Sequence, residues 1–484
     1  MIEAVRIAVS KVSGLSPGAM PPRATLAELG FDSLTLASLG GEINDLVGVR
    51  PPPAAVVGSA TVDTIALAMT SAFNSSPAPD RPGGRRSADD FPEFEILDQR
   101  LRQLEDEGLA NPFQVLLEPL PMGRARTEEG VLLNFSSYDY LGLAHDPSVI
   151  AAAHEALDRF GTSSSASRVA GGDRSVHREL EGQIASFLGC DDALVFASGY
   201  GTAVSVVGHL LSSPDLIVHD ESIHNSLVLG ARIAGATRLS FGHNDAASAS
   251  RLLETRRSDH SRALLILEGI YSTDGDIPDL PGFVELRHKH RALLMVDEAH
   301  SLGVLGATGR GVGEHFGVSP GDVDLWMGTL SKSLAGSGGY IAGRHDLIRY
   351  LRNTCPGYLF SAGLPPVVAA SALAALRVLW AQPERVSKLR SLAGFFRGAL
   401  LAQGVDPLGD DGVPVVPAIA GSARDAFRWS ERLRAEGILV HPLVPPSVPE
   451  GSSRLRFFVS CDHSEEDLRG VSQAVGWTSP IRPL

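Results

Sequence analysis

Cysteine is scarce in this chain: Cys190, Cys355 and Cys461 are the only three in 484 residues. They are too few and too scattered for a disulfide framework or a metal cage, so no metal site is expected, and each reads as a small core residue in a reducing cytoplasm. Basic residues are also in deficit, 42 Lys and Arg against 56 Asp and Glu, for a formal net charge of −14. That balance argues against a nucleic-acid partner, which needs clustered Lys and Arg, and no such cluster is visible. No apolar run approaches the roughly 20 residues that span a bilayer. The opening MIEAVRIAVSKVSG interleaves charges with apolar residues and lacks a cleavage site, so neither a secretory signal nor a membrane partner is expected. No internal repeat is present. What is abundant is core-forming material, 44% hydrophobic residues, enough for two to four domains at this length.

Composition breaks the chain at SSPAPDRPGGRRSADD, residues 75–90, a Pro-, Gly- and Ser-rich stretch without periodicity that reads as a linker. Residues 1–74 before it read as a small helical bundle; Leu36, Leu39, Ile43 and Leu46 recur at three- and four-residue steps and predict one buried helix face. After the linker, short apolar runs end in polar or glycine-rich turns and pass into helical patterns: DALVFASGYGT, DLIVHDESIH, RALLILEGIYSTDGD, RALLMVDEAHS and DLWMGTLSKS. This alternation predicts an α/β domain with a mostly parallel sheet whose strand ends converge on a site. From about residue 385 to 484 the pattern shifts to a smaller α+β domain.

In GTLSKSLAGSGG, residues 328–339, one lysine, Lys332, lies among hydroxyls and glycines. It is either a point charge in a nucleotide loop or a nucleophile holding a carbonyl cofactor. A nucleotide-hydrolase loop places its glycines before the lysine, and here they follow it. The cofactor reading needs a carboxylate for the pyridinium of pyridoxal phosphate, donors for its phosphate and a flat partner for its ring. Asp297, first polar residue after ALLMV, is either that carboxylate or a helix cap. His300 could reach the ring's phenolic oxygen or be a satisfied core histidine. The ASGYGT turn could aim the N–H groups of Gly199, Tyr200 and Gly201 at an anion, with hydroxyls from Ser272, Thr329 and Ser331. His224 is a flat partner or a loop histidine.

From about residue 92 onward the chain resembles the α-oxoamine synthases, fold-type I pyridoxal-phosphate enzymes that include aminooxononanoate synthase, aminolevulinate synthase, ketobutyrate ligase and serine palmitoyltransferase. The stretches that carry the resemblance are LNFSSYDYLGLAHDP, ELEGQIASFLG, FASGYGT, HDESIHNS, YSTDGDIPDL, VDEAHSLGVLGATGRGVGEHFGV, GTLSKSLAGSGGYIAG, FSAGLPP and RLRFFVSCDHSEEDL. The resemblance implies an N-terminal synthase segment at 91–145, a large cofactor domain at 146–384 and the small domain at 385–484. It makes Lys332 the cofactor's imine partner and the catalytic base, and Asp297 the pyridinium partner. His224 would stack on the ring and His300 would meet its phenolic oxygen. Gly199, Tyr200, Gly201, Ser272 and Thr329 would also line the cofactor, with Ser361 reaching the phosphate from the partner of a homodimer. Arg456 would clamp the amino-acid carboxylate, and Arg454 would be structural. Many members carry an asparagine where this chain has Tyr138 and Asp139, so the amino acid (glycine, alanine, serine or another) stays open.

GFDSL, within LAELGFDSLTLASLGGEI, resembles the attachment site of acyl carrier proteins, with 4′-phosphopantetheine on Ser33 at a helix start; an N-cap serine is the plain alternative. Together these expectations describe a carrier-fused synthase that condenses an amino acid with an acyl thioester on its own Ser33 arm, losing carbon dioxide, in secondary-metabolite biosynthesis. It would depend on a phosphopantetheinyl transferase and an acyl-loading enzyme. The competing expectations are another reaction of the same fold, such as an aminotransferase or aldolase, and an acyl-presentation protein with an inactive synthase domain.

Overall fold

The protein's structure, a computed structural model, describes residues 2–13, 15, 20–21, 24–29, 31, 33–47, 51, 55–75, 92–106, 109 and 115–480. All of the expected linker after Ser75 lies outside these residues.

The front segment holds helices α1 (Ile2–Ser13), α2 (Ser33–Val47) and α3 (Val62–Ser75). Val5, Ala8 and Val9 of α1, Leu39 and Ile43 of α2 and Ile65 and Met69 of α3 are fully buried, the spacing that puts one stripe of each helix on a shared core. The expected stripe on α2 is shorter than its four leucine and isoleucine positions: Leu36 is half-buried and Leu46, in the last turn, is 40% exposed. Helix α4 (Pro92–Asp106) follows, and from it the chain enters strands β1 (Glu118–Leu120), β2 (Arg124–Thr127) and β3 (Gly130–Asn134), an antiparallel meander.

Helices α5 (Pro147–Phe160) and α6 (Ser175–Leu188) lead into the central sheet. Its strands are β4 (Asp192–Phe196), β5 (Leu216–Asp220), β6 (Thr237–Phe241), β7 (Ala263–Glu268), β8 (Leu293–Asp297), β9 (Leu325–Thr329) and β10 (Gly339–Gly343), in the order β4-β10-β9-β8-β7-β5-β6. Every pairing is parallel except those of β10, which runs against both neighbours. Strands covered on both faces read as continuous apolar runs rather than alternating ones, and β5, β7, β9 and β10 are buried throughout. Helix α7 (Gly199–Leu210) follows β4, and α8 (Asn225–Ile233) follows β5. Because the strands other than β10 point one way, Ser198, Asp220, Glu268, Asp297 and Thr329 all emerge at one edge of the sheet. That edge is the site.

The C-terminal region carries β11 (Val415–Gly421), β12 (Ile438–Leu439), β13 (Pro442–Leu443) and β14 (Ser453–Phe458). Strands β11, β14 and β13 form an antiparallel sheet, while β12 pairs in parallel with β3, so the segment before the large domain is stitched to the region after it. Alternation along β14 sends Leu455 and Phe457 into the core, Phe457 against Phe135 and Phe396 at 5.7 and 5.5 Å. It leaves Arg454, Arg456 and Phe458 on the opposite face. No single helix among the described residues is long and apolar enough to cross a membrane, and no group of metal-ligating side chains occurs among them.

Candidate active site

Lys332 sits in the loop between β9 and β10, which Leu330 closes by donating its N–H to Gly338 O at 2.9 Å. Its amine makes no hydrogen bond or ion pair among the described residues; Nζ lies 5.5 Å from the centroid of the Tyr138 ring. Burial lowers its pKa, and the nearby Asp297 and Glu268 carboxylates pull the other way. A desolvated amine spends more time neutral, the form that attacks carbonyls and takes protons.

Asp297 ends β8 and is 5% exposed. One carboxylate oxygen accepts the N–H of Ala299 at 2.9 Å, so the capping reading holds for half of the group. The other accepts no hydrogen bond among the described residues, which suits a cationic partner. Burial raises its pKa while Lys332 lowers it. Beside it in register on β7 is Glu268, a site residue that no motif singled out, although it closes the apolar run ALLIL just as Asp297 closes LLMV. Burial and Asp297 push its carboxyl far above the usual range, and it accepts the backbone N–H of His224.

His224 caps α8, with Nδ1 2.7 Å from Ser226 Oγ, and its ring is exposed in the cleft. Desolvation, Lys332 and Arg456 lower its pKa to about 4, so it is a neutral flat surface at physiological pH. His300 is buried and its Nδ1 lies 2.7 Å from Tyr140 Oη. Burial holds the Tyr140 phenol protonated and the His300 imidazole neutral. His300 is the phenol's sole partner among the described residues; with Tyr140 donating to Nδ1, the imidazole proton would reside on Nε2 as a donor. Tyr140 is a second residue missed in the sequence, hidden in the SSYDYLG segment. Its neighbours divide: Tyr138, 39% exposed, packs edge-on against Phe458 at 4.8 Å and His300 at 6.0 Å, whereas Asp139 accepts from the N–H groups of Leu143 and Ala144 and shapes the turn.

The anion cradle differs from expectation in two places. Ser198 caps α7 and accepts the Gly201 N–H at 3.0 Å, leaving only the N–H groups of Gly199 and Tyr200 in that turn without an acceptor among the described residues. Thr329 gives its hydroxyl proton to Gly338 O at 3.0 Å and accepts at 2.7 Å from Ser331, the more exposed of the two, so both hydroxyl protons are engaged within the protein and either would have to turn to meet a phosphate. Ser272 contributes its carbonyl, which accepts from Arg456 Nη1 at 2.8 Å. The other guanidinium donors of Arg456 have no hydrogen-bond partner among the described residues, and its Cζ lies 4.7 Å over Phe458. Arg454 is tied to Asp274 at 2.6 Å and to the carbonyls of Thr273 and Ser452, the structural role expected. Ser361 is exposed and away from these groups' hydrogen bonds. Ser33 opens α2. Of the cysteines, Cys355 and Cys461 are buried and Cys190 half-buried, all free thiols.

An unpartnered amine, a half-free buried carboxylate, an exposed neutral imidazole and two free helix N–H groups fit pyridoxal phosphate. The family profile described as aminotransferase class I and II matches residues 131–475, and that of the phosphopantetheine attachment site matches residues 3–68. The 8-amino-7-oxononanoate synthases of Geobacter sulfurreducens and Fervidobacterium nodosum are 39% and 38% identical, each alignment covering 78% of this chain and 95% of the relative. The chain belongs to the α-oxoamine synthase family. A serine palmitoyltransferase from S. paucimobilis, solved with bound PLP, shares the fold at a TM-score of 0.77 and 30% identity, covering 81% of this chain and 98% of its own. This α-oxoamine synthase is accordingly a fold-type I, pyridoxal-phosphate-dependent acyltransferase with a phosphopantetheine carrier domain at its front.

Proposed function

We propose that the enzyme joins an amino acid to an acyl group delivered as a thioester on its own Ser33 arm, releasing the carrier thiol and carbon dioxide and leaving an α-aminoketone. The observation that carries this reading is the pairing of the partnerless Lys332 amine with Asp297, whose second oxygen is free. Bound pyridoxal phosphate supplies an aldehyde and an electron-withdrawing ring that stabilises negative charge at the substrate Cα. Asp297 would hold the ring nitrogen's proton, His224 would cover the ring, and His300 Nε2 would donate to its phenolic oxygen. Gly199 and Tyr200 would donate to the phosphate beside Gly201, with the hydroxyls of Ser272, Thr329 and Ser331 near it and Ser361 reaching it from the partner of a homodimer. Arg456 grips the substrate carboxylate with its unused donors, and Lys332 Nζ takes the Cα proton.

The exposed apolar side chains of Phe360 and Val169, 84% and 61% exposed, support a homodimer on the Ser361 side; sedimentation tests it. Tyr138 fills space beside Lys332, which favours a small amino acid among glycine, alanine and serine. A cytoplasmic role in secondary metabolism, served by a phosphopantetheinyl transferase and an acyl-loading enzyme, completes the proposal. Borohydride treatment followed by peptide mass analysis tests the centre: mass fixed on the Lys332 peptide of the wild type and absent from Lys332→Ala is expected. A wild-type protein that binds no pyridoxal phosphate would overturn it.

A further inference from the structure

One cluster of titratable groups, Asp220 and Tyr271 buried and His243 and Asp276 half-buried, touches none of the reacting positions. Asp220, the fully buried last residue of β5, accepts from the N–H of Ser222 at 2.8 Å and of Asn244 at 2.8 Å, and from the Tyr271 phenol at 3.0 Å. His243 lies between it and Asp276: Nδ1 is 3.0 Å from Asp220 and Nε2 is 2.9 Å from Asp276. The ring stands edge-on to Tyr271 at 4.5 Å, and the His243 backbone N–H reaches Glu221 at 3.1 Å. Carboxylates facing opposite ring nitrogens favour a charged imidazolium, hydrogen-bonded to Asp220 through Nδ1 and paired with Asp276 by charge at Nε2. The same surroundings raise the His243 pKa to about 10, against the pull of burial.

The far end of this bridge is a turn with a second attachment. Tyr271 N donates to Asp276 O at 3.0 Å and Gly275 N to Tyr271 O at 2.8 Å, closing residues 271–276 into one unit. One flank of that unit is held to the large domain by Asp276–His243–Asp220, by the Asn244 amide donating to Asp276, and by the Tyr271 phenol on Asp220. The other flank faces β14: Ser272 O accepts from Arg456, and Thr273 O and Asp274 from Arg454. Gly275 lies against the β11 backbone so closely that a Cβ there would come within 2.2 Å of Val415 O. The turn is therefore a rigid spacer between the sheet edge bearing Asp220 and the strand bearing Arg456.

Resting on the reading of Arg456 as the carboxylate clamp, we propose that His243 is a positioning residue for amino-acid binding: its charged ring pins the 271–276 turn, and the turn sets where the Arg456 guanidinium stands relative to the ring-binding groups. Misplacing a binding group by about 1 Å costs as much as about 100-fold; of the groups proposed to hold the cofactor only Ser272 lies in this turn, while Lys332, Asp297, His224 and the α7 N-terminus lie outside it.

Two variants of the full-length holoenzyme test this. His243→Gln removes the charge, and Asp276→Asn keeps the Asp220–His243 pair while weakening the outer link, so it stays informative if the first variant fails to fold. The cofactor's absorbance is titrated with glycine, alanine and serine, and pyridoxal-phosphate affinity and the KM for the acyl thioester are measured alongside. The expected result is a dissociation constant for the amino acid raised about 10- to 100-fold, with thioester KM within about twofold of wild type and cofactor affinity, to which the turn contributes only Ser272, falling far less than amino-acid affinity. Wild-type amino-acid affinity in Asp276→Asn, or a parallel loss of all three quantities, overturns the proposal. If Arg456→Ala leaves amino-acid affinity intact, the clamp reading fails, and the proposal fails with it; if Arg456→Ala weakens it and Asp276→Asn does not, only the role of His243 is lost.

Discussion

With its proton aimed at His300 Nδ1 over 2.7 Å, Tyr140 decides which face of that imidazole can donate to a substrate or cofactor. Tyr140→Phe leaves Nδ1 buried without a partner, a loss of about 1–3 kcal/mol; kcat/KM is expected to fall about 10-fold with pyridoxal phosphate still bound, as steady-state kinetics and an absorbance spectrum would show. Two other histidines make stability depend on pH with opposite signs. His463 stacks on Phe135 at 4.3 Å, and burial lowers its pKa to about 4. Unfolding lets it take up a proton at any pH between about 4 and about 6.5, so its contribution is complete above that window and is lost as pH falls through it. His243, raised to about 10, contributes fully below about 6.5 and loses that contribution as pH rises through 10. Thermal melts are expected to show Tm falling by several degrees from pH 6.5 to 4.5, less steeply in His463→Gln, and falling again above pH 10, less steeply in His243→Gln.

At the scale of elements, the N-terminal turn of α7 is seated on β10 through the absence of a side chain. A Cβ on Gly339 would come 2.5 Å from Thr202 Oγ1 and 2.6 Å from Gly199 Cα. Gly339→Ala is expected to lift that turn, weaken pyridoxal-phosphate binding at least about 10-fold and lower Tm by several degrees; cofactor titration and calorimetry check both. The strands and their polar ends were legible in the sequence, because a sheet covered on both faces writes itself as short apolar runs and Asp297 terminates one of them. Lys332 stood out because glycines follow it. Partnerships were not legible. The Gly201 N–H goes to Ser198 and the Thr329 proton to Gly338, and these depend on how turns close in space. Tyr140 and His300 are 160 residues apart in the chain, and no local pattern joins them. Leu46 followed the helical period but sits 40% exposed on the last turn of its helix.

For the whole molecule, fusion of a carrier to a synthase makes delivery a matter of effective concentration rather than encounter. An acyl chain on a tether is presented at up to millimolar levels without a free pool. Ser33→Ala is expected to remove the phosphopantetheine mass and abolish turnover of carrier-loaded substrate, while turnover of the same acyl group supplied as a soluble thioester continues; intact-protein mass spectrometry and product analysis read the two arms. The seam between β3 and β12 gives this fusion a mechanical side. The polypeptide coming from the carrier enters the synthase through a strand hydrogen-bonded to the C-terminal lobe, the lobe that also bears Arg456. A shift of that lobe would therefore carry β3 and the Arg456 guanidinium together.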